Sequence, residues 1–142
     1  MSGPQRASCL CGACSFSAVP VGEAGVCHCG MCRKWSGGMF IAVQTEGGLA
    51  FEPGAPVGRY VSSDWGERVF CRECGSTLAW QSRDGSHCSV SIQVFDDPAQ
   101  FPVTTEIFID RKPGNYALAN ETTKMTEAQV FEMYAPKAED GA

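Results

Sequence analysis

Seven cysteines in three short clusters constrain this chain more than any other feature. They are Cys9 and Cys11 in "CLCG", Cys27, Cys29 and Cys32 in "VCHCGMCRKWSGG", and Cys71 and Cys74 in "FCRECGS". Thiols two or three positions apart, next to a glycine turn, can surround a single ion. An ion that takes ligands from distant clusters ties those segments together, so the fold has to bring them to one point.

The chain has nine cysteines in all. The opening "MSGPQRASCLCG" has no apolar run of signal-peptide length, so the expected location is the cytoplasm. In a reducing compartment these cysteines read as thiolates on metal or as small buried residues, rather than as disulfides. Their odd number also rules out complete pairing within one chain.

The length of 142 residues suits one domain with a modest core, and 44% apolar and 19% charged residues are ordinary for a folded chain. No apolar stretch approaches the length of a spanning helix, so no membrane partner is expected. The net charge of −5 argues against a nucleic acid partner. Seven zinc-bound thiolates would carry it to about −8.

Runs rich in β-branched and aromatic residues, punctuated by Gly and Pro, fall near 13–19, 39–45, 57–62, 67–70, 77–82, 87–95 and 103–109. They predict a mainly β, antiparallel chain. One helix is expected in "MTEAQVFEMYA", capped by Thr126 with Gln129 three residues on, its Val130, Phe131 and Tyr134 covering the sheet. Residues 1–7 read as a flexible lead-in, 8–135 as one zinc-binding domain and 136–142 as an acidic tail. In the strand patterns, Cys14 shares a face with Phe16 and Ala18, and Cys88 with Val90, Ile92 and Val94. Both therefore read as core residues.

That leaves four thiols plus three. Cys71 and Cys74 need two more ligands, and the C-x-C pair Cys9 and Cys11, both projecting to one side of an extended chain, supplies them. Cys27, Cys29 and Cys32 then form a three-ligand set, the number found in a zinc site that keeps a position open for substrate or water. Cys14 or His28 would be the candidates to close it. His28 lies between two ligands and reads first as a hydrogen-bonded scaffold residue, with proton transfer as the second reading. Asp64 and Glu67 are further proton-transfer candidates. Arg33, Lys34, Arg68 and Arg72 offer cations for a carboxylate, Trp35 offers a flat wall, and Gly37 and Gly38 permit close approach of a ligand to the backbone.

"SCLCGACSF", "CHCGMCRKWSGG", "RVFCRECGSTL" and "DDP", in this order and spacing, resemble the glutathione-dependent formaldehyde-activating enzyme family, which includes the centromere protein V domain. The match runs from about residue 8 to residue 116. The resemblance implies a β-tent zinc-binding fold with two zinc ions per chain. One, held by Cys9, Cys11, Cys71 and Cys74, is structural. The other, held by Cys27, Cys29 and Cys32, is associated with activity. The chain departs from the family pattern at Cys14, at "QVF" before Asp96, and at Asn115 and Tyr116.

The implied reaction joins glutathione to formaldehyde, giving S-(hydroxymethyl)glutathione, which makes a carbon–sulfur lyase or synthase the expected function. Its partners would be glutathione or another small thiol and its aldehyde adduct. The site residues expected are His28 for proton transfer and Arg33, Trp35, Gly37 and Gly38 for substrate. Two other classes fit the same thiols: a zinc-stabilised binding module, and a redox or metal-sensing site.

Overall fold

The computed structural model describes residues 3–134. In chain order its strands are β1 (Gln5–Ser8), β2 (Ser15–Ala18), β3 (Pro20–Cys27), β4 (Phe40–Thr45), β5 (Ala50–Phe51), β6 (Val57–Val61), β7 (Gly66–Cys71), β8 (Thr77–Ser82), β9 (Cys88–Ser91), β10 (Val103–Ile107) and β11 (Thr123–Met125). Helix α1 (Gly30–Ser36) follows β3, and helix α2 (Glu127–Tyr134) follows β11. The chain is mainly β, as its residue pattern requires.

It divides into two compact units, the first made of residues up to Ala24 with Ile41–Pro102, the second of Gly25–Phe40 with residues from Val103 on. In the first unit, β1, β2 and β5 form a small antiparallel sheet. β4, β9, β8, β7 and β6 lie side by side in that order, each pair antiparallel. Alternation works as read in β2, where Phe16 and Ala18 are buried and Ser15 and Ser17 are half-buried. Phe16 stacks at 4.8 Å on Phe51 of β5, which closes the small sheet. Cys14 and Cys88 are both buried, in keeping with their reading as core thiols. Where β7 meets β8, Gly66 is needed for close packing: a Cβ there would lie 2.4 Å from Trp80 Nε1.

In the second unit, β10 pairs in parallel with β11. The end of β3 runs beside β10, where Gly25 lets the Thr105 carbonyl come close. Phe108 turns the chain out of β10 with left-handed backbone (φ 57°), and its ring meets Phe131 of α2 edge-on at 5.7 Å. The α2 cap is the reciprocal box read from sequence: Gln129 N–H donates to Thr126 Oγ1, and Thr126 N–H donates to Gln129 Oε1.

Several expectations need correction. Gln5–Ser8, placed mostly in a loose lead-in, is a strand held in register by β2. The run 87–95 is strand only to Ser91; Ile92–Val94 form a 3-10 turn, because Ser91 caps the Gln93 amide. On α2 only Val130 is buried, while Phe131 and Tyr134 are half or more exposed, so the helix covers less than three residues' worth of core. The acidic tail, 136–142, lies outside the described residues. No helix among the described residues is long and apolar enough to cross a membrane.

Candidate metal centres

The first centre lies in the first unit, at the β1–β2 hairpin and the turn after β7. Cys9 and Cys11 sit in the hairpin loop rather than on extended chain. Cys9 N–H donates to the Cys14 carbonyl, and Gly12, at φ 83°, folds back onto the Cys9 carbonyl. The Cys71–Gly75 turn repeats the device: Gly75, at φ 81°, donates to the Cys71 carbonyl at 2.8 Å. Leu10 N–H reaches Ser76 Oγ at 3.0 Å and pins the two loops together.

The four sulfurs lie within 4.8 Å of one another. The Cys9–Cys11 and Cys11–Cys71 separations are 3.6 and 3.9 Å. Zinc–sulfur bonds of about 2.3 Å in a tetrahedron require sulfurs about 3.8 Å apart. The backbone is also arranged for thiolates. Glu73 and Cys74 amides donate to Cys71 Sγ, and the Cys14 amide donates to Cys9 Sγ. These amides hold Cys71 below the usual thiol range. Ser76, through its hydroxyl and its amide, draws Cys74 down to about 5. For Cys11 the Ala13 amide favours the thiolate, but desolvation and the neighbouring sulfurs outweigh it and push the thiol up to about 12. Four sulfurs within 4.8 Å of one another, with two separations near the tetrahedral value and backbone amides donating to them, suit Zn²⁺.

The second centre lies in the second unit, between β3 and α1. Cys27 ends β3, Cys29 caps α1 by accepting the Cys32 amide at 3.3 Å, and Cys32 sits in the first turn. The three sulfurs are within 4.8 Å of one another, and no fourth His, Cys, Asp or Glu ligand joins them among the described residues. Cys29, Cys32 and burial drive Cys27 far above the usual thiol range, since no second negative charge is tolerated beside it. A divalent cation reverses that balance, so this donor set also fits zinc.

Neither residue considered as a fourth ligand joins the three sulfurs. Cys14 is buried beside Cys9 and Cys71, where burial and those two sulfurs push it up to about 12. His28 is fully buried, and its Nε2 donates to Glu106 Oε1 at 2.8 Å. Of the substrate candidates, Arg33 places Nε on the His28 carbonyl at 2.9 Å. Trp35 packs 5.2 Å from Phe40, and Gly37 forms the left-handed cap of α1 at φ 80°. A side chain at Gly38 would meet nothing within 4 Å. Arg68 is buried and donates to Ser62, Arg72 is exposed, and Glu67 accepts from Gln81 and Arg59. Asp64 and His87 are exposed. Asp97 of "DDP" caps a 3-10 turn through the Ala99 amide. Glu106 and Thr122 were not identified from sequence, although an acidic residue inside the β-branched run "VTTEIFI" was the available signal.

The sequence profile of the glutathione-dependent formaldehyde-activating enzymes matches residues 4–111. The chain belongs to this family. It is 30% identical over 126 residues to an uncharacterized lyase of Schizosaccharomyces pombe, covering 87% of this chain and 92% of the yeast protein. Its fold is similar to the crystal structure of a Rhodobacter sphaeroides protein, with a TM-score of 0.57 and 23% identity, over 70% of this chain and all of that one. Membership and the lyase relative support a lyase, and each of its two cysteine clusters could hold a metal ion.

Proposed function

We propose that this family member is a zinc-dependent carbon–sulfur lyase or synthase acting on glutathione, or a related small thiol, and its aldehyde adduct in the cytoplasm. The observation that carries the reading is the ligand count: Cys27, Cys29 and Cys32 converge with no fourth protein ligand among the described residues. Three protein ligands are the number of a catalytic zinc site, and four, at Cys9, Cys11, Cys71 and Cys74, that of a structural one. Zinc held by the triplet would favour the thiolate form of an incoming thiol and serve as a Lewis acid toward its adduct.

In the synthetic direction the thiol S–H bond breaks and an S–C bond forms at the aldehyde carbon. The carbonyl π pair moves to oxygen, which takes up a proton, so no oxidant or reductant is needed. Recognition of the thiol's carboxylates falls to Arg33 in the last turn of α1, with Trp35 as a wall. Gly37 and Gly38 keep the backbone after α1 open. His28, held inside by Glu106, serves the site by fixing the ligand loop.

The test is formation of S-(hydroxymethyl)glutathione from glutathione and formaldehyde by zinc-loaded protein, followed by NMR against the uncatalysed exchange. The proposal expects acceleration that is lost in Cys29→Ala and kept in Cys88→Ala. Equal rates with and without protein, across several small thiols, would reject it in favour of a binding module.

A further inference from the structure

His28 is fastened at every polar group but one. Its backbone N–H donates to the Ile107 carbonyl at 3.0 Å, its carbonyl accepts from Arg33 Nε, and its ring Nε2 donates to Glu106 Oε1. Glu106 is itself buried, at 1% exposure, and both its oxygens are used. Oε2 accepts from Thr122 Oγ1 and faces Lys124 Nζ at 3.7 Å. Lys124 also donates to Thr122. Tyr116 places its ring 6.5 Å from that of His28.

Burying a carboxylate is costly, and apolar packing would hold a loop with less penalty. What a buried hydrogen-bonded pair adds is a fixed direction for the group it holds. Here the group is the residue between Cys27 and Cys29, 78 positions from Glu106 in sequence. Rotation of His28 about its backbone would swing both neighbouring thiols. The ring's Nδ1 is buried with no hydrogen-bond partner, an expense that a purely structural knot would avoid.

We propose that Glu106 is a positioning residue which, through His28 and with Thr122 and Arg33, sets the directions of the Cys27 and Cys29 thiolates for the ion. This rests on the triplet being a zinc site, and it extends that reading to β10 and to the strand after the Tyr116 loop.

The test is chelator competition on the zinc-loaded protein, read separately for its two ions, together with the absorption spectrum of the cobalt form. Glu106→Gln keeps the shape and removes the charge. It is expected to weaken metal retention at the triplet about tenfold, the scale seen for groups that orient ligands. The four-cysteine ion should be unaffected, and the cobalt bands of the triplet should shift. Thr122→Val should do the same to a smaller degree, in a chain whose core is intact. If Glu106 acts through His28, His28→Asn combined with Glu106→Gln is no weaker than His28→Asn alone. Competition curves for Glu106→Gln and Thr122→Val that superimpose on wild type would overturn the proposal, as would equal losses at both ions. A wild-type cobalt spectrum indifferent to thiols would instead remove the enzymatic reading and leave this one standing.

Discussion

Replacing Cys71 by alanine removes one corner of the four-cysteine centre, and the structure sets the scale of the loss. The Cys11 and Cys71 sulfurs lie 3.9 Å apart across 60 positions of sequence. An ion between them closes a loop of that length, which removes about 4 kcal/mol of entropy from the unfolded chain. A domain of this size has about 5–15 kcal/mol of total stability, so the cross-link is a large share of it. At about 3 °C per kcal/mol, Cys71→Ala should lower the Tm by about 12 °C and leave one zinc per chain. Cys27→Ala acts on a loop that runs only to Cys32, for which the same relation gives about 2 kcal/mol. Helix α1 already orders that loop, so its Tm should fall by less than about 6 °C, again with one zinc retained. Thermal melts by circular dichroism, paired with metal analysis of the same samples, measure both. If Cys71→Ala melts within about 4 °C of wild type, or less steeply displaced than Cys27→Ala, the structural cross-link has been assigned to the wrong cluster.

Cys14→Ala and Cys88→Ala should each keep two zinc ions and cost about 1–2 kcal/mol in denaturant titrations, since both sulfurs are buried outside the ligand sets; loss of an ion from either would break the four-plus-three division. Gly66→Ala should destabilise by about 1–3 kcal/mol, because its Cβ would clash with the Trp80 ring, 2.4 Å from Nε1, and an unchanged midpoint would contradict that packing. Glu106 is held below the usual carboxylate range: burial pushes it up, but Thr122, His28 and Lys124 together outweigh it. A depressed folded pKa stabilises above the unfolded value, near 4.5, and that stabilisation disappears as pH falls through the folded value. The Tm difference between wild type and Glu106→Gln should therefore be full at pH 6 and shrink below about pH 4; a difference that grows on acidification would refute the sign.

The two cysteine groups were legible because their members obey local rules. C-x-x-C-Gly favours a tight turn, here Cys71–Gly75, and elimination of the strand thiols Cys14 and Cys88 needs only a period of two. The α2 cap was legible for the same reason, since Thr126 and Gln129 interact within one turn. What escaped depends on distant partners. β1, with the polar sequence Gln-Arg-Ala-Ser, is a strand only because β2 pairs with it. β5 and β11 are too short to leave a period, and β3 carries Gly22 at φ 79° in a run that reads as turn. Glu106 lies within the strand-forming run 103–109, whose pattern did not single it out. Its burial follows from His28, Thr122 and Lys124, which no local pattern links to it. The candidate site was thus readable as a set of candidate ligands, while the buried contacts among His28, Glu106 and Thr122 beside them were not.

The central claim, that the triplet holds zinc and leaves a place for a substrate thiol, is tested most directly by cobalt substitution. Protein loaded with two cobalt ions is titrated with glutathione while the thiolate-to-cobalt charge-transfer and d–d bands are recorded. The account predicts a saturable change in the bands of one ion, absent in Cys27→Ala and present in Cys14→Ala. Bands that stay fixed through the titration, with glutathione and with other small thiols, would contradict it.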